Sequence, residues 1–63
     1  MFIIAAYVGL QTHYLQINKG KASLNDVKAN AVVYPSFQHA AADAMIYKDK
    51  FGVALNPVSR GRK

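Results

Sequence analysis

The sequence predicts an α+β fold: a small, mostly antiparallel sheet of three or four strands with one helix packed on one face, in the order β-β-β-α-β. Three observations carry that expectation. Only one segment, Ser36 to Gly52, has complete helix punctuation. The chain before it falls into short apolar or alternating runs broken by glycine turns. One further short apolar run follows it.

Phe2 to Val8 is apolar throughout, without alternation, as in a strand buried on both faces. Gly9, Leu10 and Gln11 form a short loop. Thr12 to Asn18 then alternates, with His13, Leu15 and Ile17 on one side and Thr12, Tyr14, Gln16 and Asn18 on the other. The two runs read as an antiparallel hairpin. Lys19-Gly20-Lys21 is a turn. Ser23 to Val27 has helix-start chemistry without helix length, so one turn is the most it predicts. Ala31 to Tyr34 reads as a short third strand.

Pro35 pushes Tyr34 towards extended backbone, so the helix is expected to follow a strand. Ser36 is the N-cap, although His39 stands where a capping box would have Glu or Gln. Gly52 closes the helix, and Lys48 and Lys50 suit the negative end of its dipole. Phe37, Ala40, Ala41, Ala44, Tyr47 and Phe51 fall on one side, thin enough to lie close on a sheet. The opposite side carries Gln38, His39, Ala42, Asp43, Ile46, Asp49 and Lys50, and Ile46 is out of place there. Val53 to Val58 is a fourth strand, held to an edge or an end by Pro57. The first strand, the most apolar, is expected at the centre with the last beside it. Residues 1–58 form one domain, and 59–63 a basic tail that frays.

Sixty-three residues make one small domain, and with no cysteine it has neither a disulfide nor a zinc cluster to support it. Eight Lys and Arg against three Asp give a net charge of +5, which favours anionic partners and excludes a mimic of nucleic acid. The apolar opening is too short to span a bilayer and lacks the flanks of a signal peptide. No membrane partner is expected, and the cytoplasm is the expected location.

Chemistry is sparse. His13 and His39 have no Cys or Glu beside them, so no metal site is expected. His39 and Asp43 lie one turn apart and read as a surface helix pair. No glycine-rich phosphate loop is present. The chain is therefore expected to be neither an enzyme nor a cofactor carrier.

The informative feature is a mismatch. One helix covers one face of a sheet, yet the first strand offers Phe2, Ile4, Ala6 and Val8 on one side and Ile3, Ala5 and Tyr7 on the other. An uncovered apolar face on a small protein marks an interaction surface. The candidate contact residues are Tyr7, Tyr14, Lys19, Lys21 and Ile46, with Arg60 and Arg62 steering an acidic partner. The same basic clusters, together with Tyr7 and Tyr14 on an open sheet face, would also suit RNA or DNA, although the aromatic-glycine signature of the RNA-recognition motif is missing. A homodimer would cover the face equally well.

Several pieces resemble the small orphan proteins of tailed bacteriophages: Phe2-Ile3-Ile4, Tyr14-Leu15, Asp26-Val27-Lys28-Ala29, the alanine-rich Ser36 to Phe51, and Asn56-Pro57-Val58. The chain departs from them by lacking the acidic residues their helices commonly carry. The resemblance implies host takeover or anti-defence, in which a protein in the host cytoplasm binds and blocks one bacterial protein such as RNA polymerase, a CRISPR effector or a nuclease. It implies no catalytic residues.

Overall fold

The computed structural model describes residues 1–61. The elements are β1 (Phe2–Val8), β2 (Gln11–Asn18), β3 (Lys21–Asn25), a single 3-10 turn (Lys28–Asn30), α1 (Phe37–Phe51) and β4 (Leu55–Ser59). The four strands form one antiparallel sheet in the order β3-β2-β1-β4. The predicted α+β class and the β-β-β-α-β order are both present, and β1 sits inside the sheet with β4 beside it. Pro57 lies on an edge strand, where its missing N–H costs no ladder bond.

The third strand differs from expectation. It is Lys21–Asn25 rather than Ala31 to Tyr34. Lys19 and Gly20 both have positive φ (53° and 79°), as a two-residue turn of mirror-image type requires. That turn sends the chain straight back along β2, with Lys21 already paired to Asn18. Ala22 and Leu24 then pack against the core. What looked like a helix start is an Asx turn: the Asn25 side-chain oxygen accepts from the Val27 N–H at 2.7 Å and ends the strand.

Ala31 to Tyr34 is extended but belongs to no regular strand. β1 and β2 pair only from Ala5–Val8 to Gln11–Tyr14. Beyond Ala5 they part, β1 staying on β4 as far as Phe2 and β2 staying on β3 as far as Asn18. The segment 32–34 fills this fork. The Val32 N–H donates to the Leu15 carbonyl at 3.0 Å, and Phe2 and Tyr34 exchange two backbone bonds of 3.0 and 2.7 Å. The wedge thus satisfies backbone groups that the splayed strands would leave unpaired.

The helix is punctuated as expected. The Ser36 hydroxyl accepts from the His39 N–H at 3.2 Å, and Gly52 takes the left-handed conformation at φ 70°. Ala40 and Ala44 are its buried residues, and α1 lies on β1 and β4. The core on this side joins Ile4, Ala6, Leu15, Tyr34, Ala40, Ala44 and Leu55. Phe37, expected in the buried stripe, is instead 54% exposed and meets Phe2 edge-on, with ring centroids 5.8 Å apart. β4 begins at Leu55 rather than Val53 and runs to Ser59. The Arg60 N–H then bonds to the Met1 carbonyl at 3.0 Å, so the first two residues assigned to a frayed tail are tied to the sheet.

Candidate functional site

Side chains alternate across a strand, so the register fixes the composition of the sheet face away from the helix. β1 contributes Ile3, Ala5 and Tyr7. Opposite them, β2 places Tyr14 against Ala5 and Thr12 against Tyr7, with Gln16 and Asn18 following on the same side. β3 adds Lys21, Ser23 and Asn25, paired with Asn18, Gln16 and Tyr14. β4 adds Asn56 and Val58, paired with Ala5 and Ile3, and Arg60 continues the alternation. Val32 and Tyr34 pack into the helix-side core, so the wedge presents Ala31 and Val33 to this open face.

The expected greasy surface is largely absent. Ile3 is 0% exposed and Ala5 is 2% exposed, so the single chain hides both sides of β1 over most of its length. Ala5 is a short methyl between the longer Tyr14 and Asn56. Ile3 lies beside Val58 on one flank and the wedge on the other. Tyr7 alone of the three stands out, at 63% exposure.

Four of the seven candidate residues share this face: Tyr7, Tyr14, Lys21 and Arg60. Tyr7 and Tyr14 are diagonal neighbours on the two inner strands, a spacing of about 7–8 Å, with Tyr7 exposed and Tyr14 half-buried. Lys21 and Arg60 occupy opposite outer strands at the other end of the face, towards Met1. Lys19 sits in the adjoining turn. Ile46 is 64% exposed but lies on the far side of the helix, next to exposed Met45, and cannot join the others. Arg62 falls outside the described residues.

Among the described residues, no carboxylate lies on the open face. Asp26 follows β3, and Asp43 and Asp49 belong to α1. The side-chain hydrogen bonds of the described residues engage Asn25, Tyr34, Ser36, Asp43 and Ser59, and none uses a lysine or arginine. Gln16, Ile17, Asn18 and Asn30 line an open concavity of about 380 Å³ where β2 meets the 3-10 turn. The Gln16 Oε1 is buried and accepts no hydrogen bond.

The helix side holds a polar pair of a different kind. The Tyr34 hydroxyl donates to Asp43 Oδ2 at 2.7 Å. Burial, reinforced by that bond and by the negative charge, holds the phenol well above its usual range. Asp43 therefore serves Tyr34 rather than His39, whose ring instead lies 5.6 Å from the Tyr34 ring. The spacing of His39 and Asp43 gave no sign of this, because Tyr34 reaches the helix from the wedge.

Among the described residues no group of three His, Cys, Asp or Glu could hold a metal ion, and no helix is long and apolar enough to cross a membrane. Comparison with protein-family models, curated proteins and solved structures returns no match. The fold and the site define a helix-backed sheet with an open polar and aromatic face.

Proposed function

We propose that the protein is a non-enzymatic binding module whose contact surface is the open face of the sheet and whose partner is anionic. One observation carries this reading: Tyr7, Tyr14, Lys21 and Arg60 share a face on which the described residues place no carboxylate. The resemblance to host-takeover proteins of bacteriophages adds the proposal that this partner belongs to a host bacterial cell and is blocked or altered by the contact. The burial of Ile3 and Ala5 shifts the expected contact from an aliphatic patch to aromatic rings and charge.

The test uses the purified chain as bait in a bacterial lysate. A Tyr7→Ser, Lys21→Glu variant should lose whatever the native chain recovers, while Ile46→Ser, on the far side of the helix, keeps it. Recovery unaffected by the sheet-face changes, or abolished by Ile46→Ser, overturns the assignment of the surface. Sedimentation at micromolar concentration should show a monomer. A dimer dissociated by Tyr7→Ser would mean that the face serves self-association instead.

A further inference from the structure

The open face has a more specific character than charge alone. Its exposed aromatic area belongs to Tyr7 and Tyr14, on neighbouring inner strands. Its remaining exposed and half-buried groups are amides and hydroxyls, from Thr12, Asn18, Ser23, Asn25 and Asn56, with the aliphatic Val33 of the wedge among them. Its cations, Lys21 and Arg60, stand at the far end on opposite outer strands, and Lys19 follows in the turn. At that same end a concavity lined by Gln16, Asn18, Asn30 and the aliphatic Ile17 opens, and the buried Gln16 Oε1 lacks a donor.

We propose that this face binds single-stranded nucleic acid. Bases stack on aromatic rings without regard to sequence, because every base offers a π-face. Phosphates are drawn to lysine and arginine where no carboxylate competes. Side-chain amides carry the paired donors and acceptors that match base edges, and unstacked bases expose those edges. A duplex keeps its bases stacked and hidden from a flat sheet, so it meets only the cations. An acidic protein surface would likewise use Lys21 and Arg60 but leave Tyr7 and the amides without a matched partner. The inference rests on the open face being the contact surface, as proposed above.

The test is fluorescence anisotropy with the full chain. The probes are labelled oligothymidylate and oligouridylate of about 15 nucleotides, within the site sizes of sheet-type binders. A duplex of equal length and polyglutamate are the comparisons. Both single strands should bind more tightly than the duplex. Engagement of Lys19, Lys21 and Arg60 gives a salt slope of about −2, so affinity should fall roughly 20-fold between about 50 and 200 mM salt. Tyr7→Ala should weaken single-strand binding roughly 5- to 150-fold, and Tyr7→Phe should preserve it. The chain has four tyrosines and no tryptophan, so base stacking should also quench its intrinsic tyrosine emission, less so in Tyr7→Ala. Circular dichroism of each variant establishes that it is folded.

Absence of single-strand binding at low salt overturns the proposal, as does a duplex that binds equally well. Undiminished binding by folded Tyr7→Ala does the same. Binding of polyglutamate but of no oligonucleotide, lost in Lys21→Glu, overturns the nucleic-acid assignment while leaving the contact face in place. Lysate recovery that ignores the sheet-face variants removes the contact face itself.

Discussion

Replacing Tyr34 by Phe tests the bond that joins the wedge to the helix. The ring remains in its buried position, so the change isolates the hydroxyl. The bond lost is charge-assisted, at 2.7 Å to Asp43, and such bonds contribute about 1.5–3 kcal/mol when fully protected. Asp43 is only half-buried, so water restores part of its solvation, leaving a loss of about 1–1.5 kcal/mol. A chain of this length has a total stability of about 3–9 kcal/mol, and the loss should lower Tm by about 4–12 °C. The assay is urea denaturation followed by far-UV circular dichroism on Tyr34→Phe, Asp43→Asn and the double variant. The cycle should return a coupling of about 1 kcal/mol. Single effects that simply add, or a Tyr34→Phe chain within about 0.3 kcal/mol of the native one, would refute the reasoning. Titration gives an independent check. The phenol's folded-state value is raised, so its contribution is complete below about pH 10 and is lost as the pH climbs further. The native chain should therefore lose stability faster than Tyr34→Phe above that pH.

Three further outcomes follow from the packing. Leu15→Ala removes a fully buried side chain from the helix-side core and should cost about 2–5 kcal/mol, enough to bring the chain close to unfolding in thermal melts. Ala40→Leu forces bulk into the core between helix and sheet, where Ala40 has no exposed surface, and should cost about 1–3 kcal/mol in urea. Lys19→Asn relieves a non-glycine residue held at φ 53° and should raise stability by about 0.5–1 kcal/mol, read as a higher urea midpoint with an unchanged slope.

The parts of the fold legible in the sequence are those written in local chemistry. Ser36, Gly52 and the small residues between them specify the helix, and Pro57 assigns its strand to an edge. The uninterrupted apolar run of β1 marks an inner strand. β3 was hidden because Asn25 and Asp26 carry the same signals in an Asx turn as at a helix start, and because only Ala22 and Leu24 mark its inward face. The extended backbone of Ala31 to Tyr34 was legible, but its partners Phe2 and Leu15 are remote in sequence, and no local pattern encodes a fork. The sharing of one face by Tyr7 and Tyr14 follows from strand alternation once the hairpin register is known. The shelter of Ile3 and Ala5 does not, because it depends on neighbours from β2, β4 and the wedge together. Ser-Arg-Gly-Arg-Lys reads as a loose tail because nothing in it announces the bond of the Arg60 N–H to Met1.

The wedge also bears on how this chain avoids self-templating. Phe-Ile-Ile-Ala-Ala-Tyr-Val is uncharged, free of proline and rich in residues that favour cross-β stacking. While residues 32–34 occupy the fork, the amide and carbonyl of Phe2 are both committed to Tyr34, and the opposite margin of β1 is taken by β4. Withdrawal of that short segment, even with the rest of the sheet intact, would bare a sticky margin on the most fibril-prone stretch of the molecule. A substitution that loosens Val32 or Tyr34 should therefore reveal itself in thioflavin-positive aggregates before it reveals itself in any loss of binding.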